Sequence, residues 1–195
     1  MNTAFSQTQY IIKQQGLSIS GKYCLYGAQD NAPLLFIEKK VKWIPPSVAV
    51  HVYLDEKKKQ EAFVIQDRPD NITDLDVVDP ATGQKIGGID MTVDTLGEFF
   101  KDSWAITDAD GKPIAKICEK NTGQAILREM LANGLPQQLD ITVGETLVGE
   151  IRQKVKMMGY ELLVDFTLDV NHLLDRRLGL AVAIHVAIQH GDEAT

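Results

Sequence analysis

The sequence predicts a mainly β protein, an antiparallel barrel of about twelve strands closed around one buried, hydrophobic C-terminal helix. Two observations carry this. Five times along the chain, two strand-like runs flank a polar turn rich in Asp, Gly, Asn or Pro, which is how a hairpin is written. The chain then reaches Leu173 to Ile188 (LLDRRLGLAVAIHVAI), where from Leu178 onward only Gly179 and His185 interrupt the aliphatic residues. A helix there is apolar on nearly every face and must be wrapped on all sides. Strands with an apolar inner face lose their edges by closing, and a barrel of about a dozen strands is too wide for side chains alone to fill. The helix is the filling.

Taken in order, Gln9 to Lys13 (QYIIK) is a first short strand, separated from the first hairpin by Gly16 and Gly21. The hairpin copies are KYCLYGAQDNAPLLFIEKK, VAVHVYLDEKKKQEAFVIQD, DLDVVDPATGQKIGGIDM, SWAITDADGKPIAKICEK and QLDITVGETLVGEIRQKV. Gly111 after Asp110, and Gly144 between Val143 and Glu145, stand where a tight turn needs positive φ. In Asp79-Pro80-Ala81-Thr82-Gly83, Pro sets φ and Gly closes the turn. The charged turn Asp55 to Gln60 (DEKKKQ) is longer. Trp43-Ile44-Pro45-Pro46 is expected to be a corner, since Pro cannot donate to a ladder. Val93 to Lys101 reads as a short helix or a bent strand, and Gly123 to Asn133 as a helix stopped by Gly134. Glu161 to Leu168 is a last strand delivering the chain to the terminal helix, with Asp169 or Asn171 as its cap. Gly179, Ala181, Ala183 and Ala187 are expected to let strands approach that helix closely.

A chain of 195 residues, 44% hydrophobic and 24% charged, reads as one globular domain over residues 1–195. Net charge −7 argues against nucleic acid as a partner, because phosphate binding needs clustered Lys and Arg. The N-terminus lacks the basic and apolar regions of a secretory signal, so a cytoplasmic location is expected, with a peripheral membrane association left open. The apolar run of the terminal helix is about half the roughly twenty residues that span a bilayer, so no transmembrane span is expected. Cys24 and Cys118 have no CxxC spacing and read as packed thiols.

These units closed by a hydrophobic helix resemble the LURP-one-related family, within the Tubby C-terminal-like and phospholipid scramblase superfamily. The resemblance is sharpest from Ile86 to Asn121 (IGGIDMTVDTLGEFFKDSWAITDADGKPIAKICEKN) and from Val164 to Ile188 (VDFTLDVNHLLDRRLGLAVAIHVAI). It implies a twelve-stranded barrel around the helix, in a superfamily associated with phosphoinositide binding, with phospholipid movement, or with no established activity; no cofactor is expected. Phe166-Thr167-Leu168-Asp169 also resembles the start of the acidic segment proposed to bind calcium in scramblases. On that resemblance Asp165, Asp169 and Asn171, with Asp175, are candidate ligands. Asn171 departs from the pattern, and calcium wants six to eight oxygens where these residues supply only some. Helix capping is the simpler role.

The basic clusters are Lys39, Lys40 and Lys42 beside Trp43, Lys57, Lys58 and Lys59 in a hairpin turn, and Arg176 and Arg177 at the helix start. They are the candidate sites for an anionic phospholipid headgroup or a membrane surface. The plain alternatives are a solvated hairpin tip that discourages edge pairing and, for the arginines, counter-anions Asp169 or Asp175 at a helix end that otherwise disfavours cations. His185 within the apolar helix reads first as a hydrogen-bonded core histidine. Asp108-Ala109-Asp110-Gly111 reads as a turn, without the rest of a calcium loop. GxSxG, HExxH, GxxxxGK and GxGxxG are all absent, and Ser47 with His51 is too common a pairing to suggest a nucleophile and base. A non-enzymatic lipid-binding barrel is therefore the leading expectation. A protein-interaction module comes second and an unrecognised enzyme third, the last revived by a pocket with convergent polar groups near His51, His185 or the arginines.

Overall fold

The computed structural model describes residues 3–15, 22–43, 46–91, 103–120, 138–154 and 161–193. After a 3-10 turn at Thr3–Phe5 come β1 (Gln9–Gln14), β2 (Lys22–Gly27), β3 (Pro33–Trp43), β4 (Pro46–Tyr53), β5 (Glu61–Arg68) and β6 (Asn71–Val78). Next along the chain are β7 (Lys85–Met91), β8 (Ser103–Thr107), β9 (Pro113–Glu119), β10 (Gln138–Val143), β11 (Thr146–Lys154) and β12 (Glu161–Asp165). Each strand pairs antiparallel with its chain neighbours, and β1 closes onto β12 from Gln9↔Asp165 to Lys13↔Glu161, so the barrel has no edge. The terminal helix, α1, is Arg176–Glu193.

Alternation along the strands sets the core. Tyr10 and Ile12, Leu35 and Ile37, Phe63 and Ile65, or Leu162 and Val164 stand two apart and point to one face, and every strand gives such residues to a single apolar cluster. The same cluster contains Leu178 and the unbroken run Leu180 to Ile184, all buried. Five consecutive buried residues cover every face of a helix turning through 3.6 residues, so α1 lies inside the barrel as expected.

Expected turn chemistry is seen at Gly83, Gly111 and Gly144, with φ of 70°, 82° and 57°. In the DADG turn the Asp108 carboxylate accepts the N–H groups of Asp110 and Lys112, at 3.0 and 2.9 Å. The charged turn uses Lys58 at positive φ, with the Asp55 carboxylate accepting from Lys59 and Gln60.

Three expectations change. The ladder does not stop short of the Trp43 to Pro46 stretch: β3 and β4 stay paired to Trp43↔Pro46, because Pro46 opens its strand, where a missing donor is tolerated, and residues 44–45 lie outside the described residues. The helix starts at Arg176 rather than Leu173, capped by Asp175 and not by Asp169 or Asn171. The Asp175 carboxylate accepts the Arg177 N–H at 2.9 Å, while Asp169 takes those of Leu173 and Leu174 at 2.8 and 3.4 Å, holding both leucines in the loop. Close approach at Gly179 is to a side chain and not to a strand: a Cβ there would lie 2.7 Å from the Phe166 ring. The strands β12, β7 and β1 come close to the helix, and Gly87 of β7 leaves room for Leu178. The segments Val93 to Lys101 and Gly123 to Asn133 lie outside the described residues.

Phe166 is hemmed in from two sides, since a Cβ on Gly149 would lie 2.8 Å from the same ring. An Ala in a helix interior normally gains about 1 kcal/mol over Gly, whereas overpacking costs about 1–3 kcal/mol. Gly179→Ala is therefore expected to lower stability, by up to about 2 kcal/mol in urea unfolding, and to do so less when Phe166 is replaced by Leu.

Candidate functional site

Strand direction alternates, so the tight turns at 28–32, 54–60, 79–84, 108–112 and 144–145 and the loop at 166–175 share one end of the barrel. The helix enters there and runs toward the other end. Its entrance is sealed by a buried cluster. Arg176 stacks its guanidinium 4.2 Å from the centre of the Phe166 ring, whose edge meets Tyr10, and Nη1 lies 3.6 Å from the fully buried carboxylate of Asp169. That separation is an ion pair rather than a hydrogen bond. Burial raises the Tyr10 phenol to about 12, against the lowering effects of Arg176 and of the Gln7 backbone. Arg177 turns outward and pairs with Asp175 at 2.6 Å. Burial opposes ionisation of Asp175, but hydrogen bonds and charge from Arg177 outweigh it and hold the carboxyl below its ordinary range. Both arginines have the intramolecular counter-anions that the sequence offered as the plain alternative.

The candidate calcium ligands are likewise engaged by the chain. Asp165 accepts from Gln9 Nε2 at 2.7 Å and from the Thr167 amide and hydroxyl at 2.8 and 2.6 Å. Burial opposes ionisation here too, and those bonds overcome it and lower the pKa. Asp169 faces Arg176, and Asn171 lies on the exposed tip of the loop. Among the described residues no group of three or more His, Cys, Asp or Glu is placed to hold a metal ion. The same tip exposes Leu168, Val170 and Leu173, Val170 at 77%.

On the outer face of β3 to β5, the lysines are interleaved with acids. Glu38 accepts from Lys58 at 2.7 Å and stands 4.0 Å from Lys40, which itself donates to the Tyr53 hydroxyl at 2.9 Å. The Lys58 hydrogen bond, against opposing burial, lowers the Glu38 carboxyl; the Tyr53 bond raises the Lys40 ammonium. His51 stacks on Tyr53 and meets Glu61 at 2.7 Å. Glu38 faces both Lys40 and Lys58, and Glu61 faces His51, so acids are interleaved with the bases of this surface. Lys57 and Lys59 sit on the exposed turn, and the Lys42 side chain lies outside the described residues. Ser47 is four residues from His51 on one strand, about 13 Å along it, so the two do not meet.

Lys39 stands apart from the lysines around it. It is opposite Val50, which is opposite Ile65, so it shares the inward face of β3 with Leu35 and Ile37. There it lines a cleft of about 270 Å³ between β3–β6 and the last turns of α1, just below the range of small-molecule sites, roughly 300–1,000 Å³. Val48, Val50, Ile65, Leu75 and Ile188 form its apolar wall. Its polar groups are Lys39, Asp67, Thr73, His185 and Gln189, with the Asp67 carboxylate accepting the Val48 N–H at 2.7 Å. Of the basic residues singled out in the sequence whose side chains are described, Lys39 is the one that lines this cleft. Asp67 and Thr73, on the neighbouring strands β5 and β6, and Gln189, far along the chain on α1, escaped sequence reasoning because only the closed barrel brings them together. The inward turn of Lys39 was readable, since Leu35, Ile37, Lys39 and Val41 fall at period two.

No helix among the described residues is long and apolar enough to cross a membrane. Neither curated proteins nor solved structures give a match to this chain. A family model, LURP-one-related, matches residues 2–130, which run from the N-terminus through β9. The matched span and the strands beyond it, β10 to β12, close into one barrel. With about two thirds of its length matched and the barrel complete, the chain belongs to the LURP-one-related family.

Proposed function

We propose that this protein is a non-enzymatic binding barrel that takes an anionic phospholipid headgroup at the cleft and acts peripherally at a membrane surface. The observation that carries this reading is Lys39: an ammonium on an otherwise apolar inner strand face, a place where lysine is rare, lines a cleft with an aliphatic wall. On the outer face Glu38 pairs with both Lys40 and Lys58, so a flat basic patch contributes little.

Retention on vesicles containing anionic lipid at low salt is the test. One charge near such a surface is worth about 1 kcal/mol, so Lys39→Gln is expected to lower vesicle affinity about fivefold, whereas Lys40→Gln and Lys58→Gln change it less than twofold. Equal losses from all three would point to a diffuse electrostatic attraction and count against the cleft.

A second reading, a protein-interaction module, is favoured by one observation: the exposed Leu168, Val170 and Leu173 at the opposite end of the barrel. Loss of a stable partner on Val170→Asp, with vesicle retention unchanged, would support it.

A further inference from the structure

We infer that the cleft receives an apolar chain as well as a head: its ligand is an amphiphile with a single anionic group, a carboxylate or phosphodiester, and one linear aliphatic tail. This rests on the reading that an anionic head reaches Lys39. Half of the lining is aliphatic, with Val48, Val50, Ile65 and Leu75 on the strands facing Ile188 on the helix. A headgroup alone would leave that wall in water. A chain covers it, and apolar area removed from water is the dominant favourable term in such sites. Val41 fits the same picture. It is opposite Val48 in the register, two residues beyond Lys39, and is 49% exposed, an inward-facing apolar residue at the barrel's rim.

The charges restrict the head. Among the described residues of the lining, Lys39 is the lysine and Asp67 the carboxylate. A monoanion on Lys39 and away from Asp67 has its charge matched, whereas the second charge of a dianion such as a phosphomonoester would enter the cleft without a counter-charge of its own. Asp67→Asn is therefore expected to tighten binding, because an amide oxygen can still accept the Val48 N–H while the repelling charge is gone.

The experiment is calorimetric titration of the full chain with monoacyl phosphoglycerols of increasing chain length, below their micelle concentrations. Glycerophosphoglycerol serves as the head alone and monoacylglycerol as the neutral control. Affinity is expected to rise by up to about fourfold per added methylene, and to stop rising once the cleft is filled. Lys39→Gln should weaken the anionic ligand about fivefold without changing the neutral one. Leu75→Trp should occlude the cleft and lower affinity more than tenfold; the polar exchanges at Lys39 and Asp67 keep the test decisive should that variant fail to fold. Affinity independent of chain length, or equal for the head alone, would overturn the chain while leaving the headgroup reading intact. Failure of anionic vesicles and of the head and every chain-bearing ligand to bind would remove both. Equal affinity for anionic and neutral amphiphiles would overturn the role given to Lys39.

Discussion

A chain ending at Val170 is expected to be insoluble, or to show no cooperative melt. It keeps all twelve strands but loses α1, and with it Leu174, Leu178, Leu180, Val182, Ile184, Val186 and Ile188, seven large side chains buried to 6% exposure or less. At about 1.5–3 kcal/mol each, these contribute on the order of 10–20 kcal/mol gross, as much as a whole domain's net stability of about 5–15 kcal/mol. The inner faces of the strands would meet a water-filled lumen. Soluble expression followed by a thermal melt of the truncated chain checks this, and a sharp transition near that of the full chain would contradict the helix's role as core.

Asp169→Ala carries the second large effect. It leaves the Arg176 guanidinium buried without its counter-charge, a loss of about 3–5 kcal/mol, and removes the acceptor of the Leu173 and Leu174 N–H groups. For a chain of this size that corresponds to a melting temperature lower by roughly 6–20 °C. Pairing the change with Arg176→Met should recover much of the loss, since Met keeps an apolar contact with Phe166 and brings no charge. A double variant no more stable than Asp169→Ala would show that the buried ion pair is not what holds this loop.

The fold was legible wherever a local rule and the global fold agreed. A strand such as β10 alternates in register with the core, Leu139 and Ile141 inward between Gln138, Asp140 and Thr142, and Gly111 and Gly144 stand where tight turns need positive φ. The helix start was misread because Leu173 and Leu174 continue the apolar pattern of α1, while a carboxylate four and five residues upstream takes their N–H groups. No periodicity reports such a bond. Function was less legible, for a related reason. Lys39, Lys40 and Lys42 look like one cluster in the sequence, yet the pleat sends Lys39 inward and Lys40 outward to Tyr53 and Glu38. The cleft itself assembles from β3 to β6 and the end of α1, elements up to 150 residues apart in the chain.

Amide hydrogen exchange with and without vesicles containing anionic lipid tests the placement of the binding site most directly. The two ends of the barrel give opposite footprints. Binding at the cleft is expected to protect the amides of β3 to β5 and the last turns of α1, and Lys39→Gln should erase that protection at vesicle concentrations where the unaltered chain is bound. Protection confined to residues 166–175, with β3 to β5 unchanged, would place the membrane at the apolar tip and contradict the cleft.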